Sequence, residues 1–576
     1  MPEAVVNKFI NHPEETVIDG LKGLVLGNEE LKLHPHNWRV VLRAKQPENA
    51  VALIAGGGSG HEPYAAGFVG TNGLTGAVSG DVFASPSSEA VFNALQAVTK
   101  KEGTIVYVIN YTGDRLNFGM AVERFKAISK QQNVDLVYID DDVSLEAKTN
   151  TVGGRGLAGA ATLFQIVGYL AEVKNVKFDE LLETSRKIVA NSGTFGVSLK
   201  PCAIPGKPRM FELDADKMEL GLGIHGEPGC ERTKIAEAKS VVATALERLT
   251  KSKRLQLTKD DDYIVLLNNL GATSQIELGI LEGETLKWLA ENGFKNIKKF
   301  AVGTVMTSID AHGISLTIVK VQDKAWVDAF DHHSSVSSHL QISTPVLNLD
   351  RLNFQKEADE SDVQTLGKSI PKETAKSFEA AIKAAADAIE KKEDLLNKLD
   401  GCGDGDCGTT LKTAAKAVKQ SLSDGKVDFE HPQTALTQIA RIFEKSVGGT
   451  TGAIYAMFFT AGSVLYEQST DAATFHEALK RGLDAIMKYG HAKPGHRTLV
   501  DPLHAAAEAV NSPKGESDWK TVVEAIEKAA EDTAKMEAKS GRASYTNAEE
   551  QHRPDPGAIA VATFAKAAFD AFYGHK

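Results

Sequence analysis

Several things are scarce in this 576-residue chain, and each scarcity removes a class of protein. Four cysteines (Cys202, Cys230, Cys402 and Cys407) are too few for a disulfide scaffold and lack the spacing of a four-ligand zinc site, so a reducing compartment fits best. No window reaches the roughly 18 consecutive apolar residues that a membrane span needs. The apolar stretch 556–572 carries Lys566 and Asp570. The first residues show neither a signal-peptide core nor an Arg/Ser-rich transit pattern, so a soluble, cytoplasmic protein is expected. Positive charge is also short. With 65 Lys+Arg against 76 Asp+Glu the net charge is −11, which repels phosphate backbones and argues against nucleic acid. A phosphate-bearing ligand would have to be met by local backbone amides or a metal ion. Proline is sparse, 18 against 50 glycines, so glycine here marks loops and close backbone approaches rather than low complexity.

The pattern that is present changes once along the chain. From about residue 30 to 335, short β-branched runs alternate with helix-like stretches and Gly-rich loops. Val40-Val41-Leu42, Val51 to Ile54, Thr104 to Ile109, Leu136 to Ile139 and Tyr263 to Leu267 read as buried strands, and Ser87 to Val98 and Ala236 to Leu249 as helices. This alternation predicts an α/β domain, 1–343, with largely parallel sheets and ligands beyond the carboxyl ends of its strands. From about residue 372 the chain is Ala-rich, with apolar positions at helical spacing such as Trp519, Val522, Val523, Ile526 and Ala530, or Leu436, Ile439, Ala440 and Phe443. Seven or eight such segments predict an all-α bundle over 372–576. Between them, 344–371 includes the charged run Gln355 to Asp362 and reads as a linker. No internal repeat is visible.

Three clusters in the first half carry chemistry. Gly56-Gly57-Gly58-Ser59-Gly60-His61-Glu62-Pro63 follows a strand but is not a dinucleotide fingerprint, because His61 stands where its last glycine should be. It reads as a tight turn or as a loop for a small polar ligand. In Asn110-Tyr111-Thr112-Gly113-Asp114, Asp114 is either a helix cap or a site carboxylate. Gly223-Ile224-His225-Gly226-Glu227-Pro228-Gly229 leaves an imidazole with little steric cover, available near pH 7 as base or nucleophile. In the second half, Asp400, Asp404 and Asp406 fall within seven residues and repel one another unless a cation lies between them. Carboxylate oxygens select Mg²⁺ or Ca²⁺, and Mg²⁺ held by few protein ligands is usually completed by phosphates. The spacing is not that of an EF-hand. The helix opened by Gly408-Thr409-Thr410, the Gly448-Gly449-Thr450-Thr451-Gly452 loop, the cations Arg497 and Arg542, and the Asp555-Pro556-Gly557 helix start together point to a nucleotide held by helix N-termini. There is no Walker A lysine motif and no protein-kinase signature.

With GGGSGHEP (56–63), NYTGDRLNFG (110–119), GIHGEPG (223–229), GDGDCGTT (403–410), GGTTG (448–452), GRASY (541–545) and DPGA (555–558) in this order, the sequence resembles the single-chain, ATP-dependent dihydroxyacetone kinases, the family that includes the animal triokinase/FMN cyclases. The resemblance runs over nearly the whole chain. It implies an N-terminal α/β substrate domain and a C-terminal eight-helix nucleotide domain, paired across a homodimer. It also implies that His225 attacks the ketone carbon and holds the triose, dihydroxyacetone or glyceraldehyde, as a covalent hemiaminal. Glycerol, having no carbonyl, would be rejected. By the same resemblance His61 and Asp114 orient the substrate and take the proton of the attacking hydroxyl, with Gly57, Gly58, Ser59, Gly60 and Ile109 completing the substrate site. Asp400, Asp404 and Asp406 would hold Mg²⁺ against the phosphates of ATP. Gly405, Asp406, Cys407, Gly408, Thr450, Thr451, Gly490, Arg497, Thr498, Asp555, Pro556 and Gly557 would hold the nucleotide.

Three positions depart from the family. Ile109 stands where a substrate-binding lysine is usual, a loss of about 1.5–3 kcal/mol for one charge-assisted hydrogen bond. Asp400 and Asp404 are four apart rather than five, and His496 replaces an aspartate. Two other readings accompany the kinase. One is an FAD-AMP lyase making cyclic FMN at the same nucleotide site, with Mn²⁺ or Co²⁺. The other is a non-catalytic ligand-binding regulator with a protein partner, a role tied in animal members to innate immune signalling. The joint presence of His61, Asp114, His225, Asp404 and Asp406 favours the kinase.

Overall fold

The computed structural model describes residues 8–129, 131–146, 153–207, 209, 212–352, 365–401, 405–540, 544 and 552–575. The chain divides into two compact units, Met1–Asn353 and Phe354–Lys576. The charged run 355–362 lies outside the described residues.

In the first unit α1 (Thr16–Leu26) precedes β1 (Leu31–His34), β2 (Asn37–Arg43), β3 (Ala52–Ser59) and β4 (Gly76–Val82). Next come α2 (Ser88–Val98), β5 (Thr104–Ile109), α3 (Thr112–Ile128), β6 (Val134–Ile139), α4 (Gly159–Glu172) and α5 (Phe178–Ala190). The remainder is β7 (Ser192–Lys200), β8 (Lys217–Leu220), β9 (Glu231–Lys234), α6 (Ala238–Thr250), β10 (Tyr263–Asn269), α7 (Gln275–Glu291), β11 (Ile297–Gly303), β12 (His312–Lys320), α8 (Lys324–Asp328) and β13 (Gln341–Ser343).

These strands form a six-stranded sheet, β1-β2-β4-β3-β5-β6, and a seven-stranded sheet, β13-β11-β10-β12-β7-β8-β9. The first is parallel from β4 to β6, as the strand–helix alternation predicts. Its interior strand β5 is buried on both faces. Ile105, Tyr107 and Ile109 enter one core with α4 and α5, while Val106 and Val108 enter another with α2 and α3. The second sheet differs from the expected parallel pattern. Only β10 and β11 pair in parallel: β12 runs antiparallel to both β10 and β7, β13 antiparallel to β11, and β7, β8 and β9, which follow one another with no intervening helix, pair antiparallel. Residues of α4 share one core with strands of both sheets, and α6 and α7 cover the far face of the second sheet.

The glycine cluster differs from the expected loop in a way that matters for the site. Gly56, Gly57 and Gly58 lie inside β3, every residue of which is buried. A Cβ on Gly56 would stand 2.3 Å from the Val78 carbonyl oxygen. The run is glycine because backbone packs on backbone there, and the true turn begins only at Gly60, whose φ is +95°.

The second unit is all-α: α9 (Lys372–Glu390), α10 (Glu393–Leu399), α11 (Cys407–Ser423), α12 (Pro432–Ser446), α13 (Gly449–Ser463), α14 (Ala472–Gly490), α15 (Val500–Ala509), α16 (Glu516–Asp532) and α17 (Pro556–Tyr573). Eight of these have ten residues or more, and α10 is a two-turn segment leading into the aspartate-rich loop. The helical spacing read for α16 corresponds to its buried face of Val522, Val523, Ile526 and Ala530. Among the described residues no helix is long and apolar enough to cross a membrane.

Gly56→Ala should destabilise the first unit by about 1–3 kcal/mol, the usual cost of overpacking a closed site. Urea unfolding of the variant followed by circular dichroism measures it.

Candidate active site

The first unit brings three sequence-distant groups together at the carboxyl ends of its strands. His61, just past β3, is completely buried. Its Nδ1 lies 2.9 Å from the Thr307 carbonyl oxygen. A carbonyl only accepts, so Nδ1 carries the proton and Nε2 presents a lone pair. Among the described residues that Nε2 has no hydrogen-bond partner. The His61 ring stacks on Phe83 with centroids 5.1 Å apart and meets the edge of His225 at 4.8 Å. His225 is further boxed by Phe83 at 5.2 Å and Tyr111 at 4.5 Å, both edge-on.

Asp114 sits in the first turn of α3, which follows β5, so it is not that helix's N-cap. Its Oδ1 is buried and unpartnered among the described residues, while the Ser85 hydroxyl donates to the carboxyl. Burial pushes the Asp114 carboxyl up to about 6, against Ser85 and a nearby His225 that act the other way. Burial and the neighbouring His225 push the His61 imidazole down to about 3, so it is neutral across the physiological range. The site therefore offers two buried acceptors beside a half-buried imidazole. An unmet buried acceptor costs about 1–3 kcal/mol, which a ligand bearing O–H donors removes.

The remaining substrate residues expected from the sequence contribute shape. The Ser59 hydroxyl donates to the Gly80 carbonyl at 2.8 Å, and the Gly60 N–H donates to Glu62 at 2.9 Å, so both are engaged within the protein. Ile109 is fully buried at the end of β5. Cβ atoms on Gly57 and Gly156 would each stand 2.8 Å from Ile109 carbons, so Ile109 forms a closed apolar wall without a polar atom to offer.

Phe83, Ser85, Thr307 and Arg155 gave no signal in the sequence, and Glu227 appeared only as part of the GIHGEPG string. Glu227 accepts the His225 backbone N–H at 2.9 Å. Burial alone would raise its carboxyl, but His225 and the Arg155 guanidinium outweigh burial and hold it at about 2. Phe83 has a positive φ of +59°, which no pattern in its neighbours foretells.

In the second unit a cavity of about 520 Å³ is lined by Asp400, Asp406, Cys407, Thr450 and Thr451, together with Gly490, Arg497, Thr498, Asp555, Pro556 and Gly557. The N-termini of α11, α13, α15 and α17 all open at it, a setting for phosphate oxygens. Ile454, Ile486 and Leu499 add an apolar wall suited to a planar base, and Ser540 completes the rim; none of these stood out in the sequence. Gly405 and Gly408 are outside the lining. Gly408 is packed instead, since a Cβ there would stand 2.1 Å from the Glu393 carbonyl oxygen. Asp404, Cys402 and Arg542 lie outside the described residues.

Among the described residues no three His, Cys, Asp or Glu side chains are grouped closely enough to hold a metal ion, Asp404 lying outside them. Asp400, Asp406 and Asp555 share one lining, and burial pushes the Asp555 carboxyl up to about 6, with Arg497 opposing and Asp501 and Asp400 adding to the rise. Asp400 already spends one oxygen on the loop, accepting the N–H groups of Asp406 at 3.2 Å and Cys407 at 3.1 Å. Asp555 caps α17 through the Ala558 N–H. Arg497 is 2% exposed and donates to the Arg553 carbonyl at 2.8 Å. Asp501 ties the preceding turn by accepting the Gly495 and Thr498 N–H groups. Burial, with Asp400 adding, pushes the Cys407 thiol up to about 12, so it stays protonated.

An α/β unit with a two-histidine site and a helical unit with an anion-binding rim have direct counterparts among known proteins. The Dak1 domain matches residues 22–338 and the DAK2 domain residues 401–570. The chain belongs to the dihydroxyacetone kinase family that these two domains define. It is 36% identical to the triokinase/FMN cyclase of Rattus norvegicus, over 97% of this chain and 98% of that one. It is 35% identical to the dihydroxyacetone kinase of Komagataella pastoris, over 98% and 99%. Among solved structures it is similar to the dihydroxyacetone kinase of C. freundii in complex with AMP-PNP and Mg²⁺, with a TM-score of 0.70, 28% identity, and coverage of 98% and 99%.

Asp114→Asn should stabilise the first unit above pH 6. The folded-state carboxyl titrates near 6 against an ordinary 3.8, so stability from its protonation is present at low pH and is lost between about pH 3.8 and 6. The gain in melting temperature over wild type should be seen at pH 7.5 and vanish at pH 3.8 and below; equal melting temperatures at pH 7.5 contradict it.

Proposed function

We propose that the protein is an ATP-dependent kinase of short carbonyl trioses, dihydroxyacetone or glyceraldehyde, and that His225 holds the substrate covalently. The observation that carries this reading is the pair of unmet buried acceptors, His61 Nε2 and Asp114 Oδ1, beside the half-buried His225 imidazole. Acceptors set beside a nucleophile suit a small polyol bearing a carbonyl. The Nε2 lone pair of a neutral His225 forms a bond to the carbonyl carbon, and the π pair moves to oxygen, which takes a proton from solvent. The captured triose then presents a hydroxyl to the acceptors. His61, near 3, accepts a hydrogen bond but holds a proton poorly, so it orients. Asp114, near 6, is the better base, and its Oδ1 takes the hydroxyl proton as that oxygen attacks the γ-phosphate.

ATP occupies the cavity of the helical unit, its phosphates at the helix N-termini and its base against Ile454, Ile486 and Leu499. Asp400 and Asp406, with Asp404, would hold Mg²⁺, which supplies neutralisation of phosphate charge when bound. The free thiols of Cys202, Cys230 and Cys407 suit a cytoplasmic setting.

A second activity is favoured by the nucleotide cavity's independence from His225. FAD carries the same adenosine diphosphate, and relatives named triokinase/FMN cyclase include the rat protein. FAD cleavage to cyclic FMN, with Mn²⁺ or Co²⁺, would use the carboxylate rim alone.

ADP release from Mg-ATP is expected with dihydroxyacetone and not with glycerol. His225→Ala should lower kcat/KM for the triose at least about 100-fold, the scale of losing a nucleophile's contribution. It should leave FAD cleavage unchanged. Glycerol turnover equal to that of the ketone, or equal loss of both activities in a folded variant, overturns the reading.

A further inference from the structure

His225 has two ring nitrogens, and capture of a carbonyl requires that one of them stay unprotonated and face the substrate. The surroundings of Nδ1 decide that it is Nε2 that does so. Glu227 turns back on its own loop: its Oε2 accepts the His225 backbone N–H at 2.9 Å, and its Oε1 stands 3.9 Å from His225 Nδ1. Glu227 is itself gripped. Arg155 Nη1 lies 3.5 Å from Oε1, and Arg155 Nε donates to Asp142 Oδ2 at 2.7 Å. The same guanidinium donates through Nη2 to the Gly221 carbonyl at 2.6 Å and to Ser144 Oγ at 3.1 Å. Asp142 is in turn fixed by the Ser144 N–H at 2.8 Å. The loop after β6, the segment before α4 and the loop after β8 are thereby tied through one cation.

We propose that Glu227, clamped by Arg155, is a positioning residue that holds the proton on His225 Nδ1 and leaves Nε2 as the nucleophile. This rests on the reading of His225 as the residue that captures the triose. Three observations carry it. Arg155 and Asp142 have side-chain exposures of 13% and 1%, so their pairing is shielded from solvent, unlike a surface ion pair. The loop is shaped around the clamp: a Cβ on Gly223 would stand 2.1 Å from Glu227 Oε1 and 2.8 Å from Arg155 Nη1, which explains a glycine there. Of the two ring nitrogens Nδ1 is the one with the carboxylate within 4.0 Å, at 3.9 Å; beyond hydrogen-bond length, the carboxylate acts on the ring as a fixed negative charge that favours the proton on the nearer nitrogen.

The chemistry balances without a further reactant. The Nε2–C bond forms, the carbonyl π bond breaks, and its oxygen is protonated from water. The ring becomes an imidazolium that keeps its Nδ1–H beside the Glu227 carboxylate. Glu227 therefore favours the captured state as well as the attacking geometry. The charged and titratable groups around His225 are Glu227, His61, Asp114 and Tyr111, with Arg155 and Asp142 behind Glu227.

The test uses the full chain with dihydroxyacetone carrying ¹³C at its carbonyl, in which NMR separates the bound hemiaminal carbon from the free ketone. Glu227→Gln should lower the bound fraction and raise KM for the triose about tenfold or more, with a smaller change in kcat. The acid limb of kcat/KM should move down by about one pH unit, because a neutral amide no longer supports the imidazolium. Glu227→Asp should recover part of both effects. Arg155→Met should raise KM, and adding it to Glu227→Gln should change little more, since the two act as one unit. Unchanged binding of AMP-PNP in each variant checks that the helical unit is intact. A Glu227→Gln protein with wild-type adduct, KM and acid limb overturns this proposal alone. Free ketone as the sole signal with wild-type enzyme overturns the His225 reading and this proposal with it.

Discussion

The substrate half is organised by one imidazole kept out of water. Burial, with His225 nearby, keeps His61 neutral, while the Thr307 carbonyl accepts a hydrogen bond from its Nδ1–H and so sets its tautomer, and Phe83 covers its face. Burial then does two things at once. It strips Nε2 of solvent partners, and it makes any added charge on that ring costly. The neighbouring His225 is less buried and is governed by charge on its other side. Two histidines 4.8 Å apart are thus kept distinct in role by their surroundings, one desolvated and one held by a carboxylate.

That arrangement depends on close backbone packing. Gly56 and Gly58 let β3 lie against β4 and the turn after it, where Cβ atoms would stand 2.3 Å from the Val78 carbonyl and 2.9 Å from the Ala84 nitrogen. The turn at Gly60 then delivers His61 to Thr307, which arrives from the loop after β11. In the helical unit the device is different. Helix N-termini converge on a cavity whose anionic rim would be self-repulsive without a cation or without burial-driven protonation, as Asp555 shows.

Much of the fold was legible because its signals are local. The β-branched run Thr104 to Ile109 is β5 residue for residue, and the capping serine before α2 marks that helix's start. The change from alternating to helical spacing separates the two units. The pattern failed where the deciding contact is distant. Gly56-Gly57-Gly58 looks like a loop in isolation and is a strand because of Val78, and the antiparallel course of β7, β8 and β9 depends on pairings that short, mixed runs do not announce. In the site, motif glycines and histidines stood out, whereas Arg155 did not. Its partners Asp142, Gly221 and Glu227 lie in other loops, and an arginine with long-range partners has no periodicity to reveal it. The apolar wall of Ile454, Ile486 and Leu499 was equally silent, since isoleucine and leucine on helices read as ordinary core.

Ile109 and the glycines on either side of it have a consequence for how this site can diverge. Gly57, Ile109 and Gly156 fill one slot with no spare room, so the three positions are bound by a shared volume. Gly57 cannot take a larger residue while Ile109 stays, and Gly156 is held also by the Ile139 carbonyl, 2.7 Å from where its Cβ would stand. On the reading that this wall faces the triose, the change left open lies at position 109, by side chains that occupy the same slot and differ in what their far end presents. Within a set of descendants of this sequence, position 109 should vary in polarity while 57 and 156 stay glycine, which makes the wall a single-residue evolutionary dial set between two invariants.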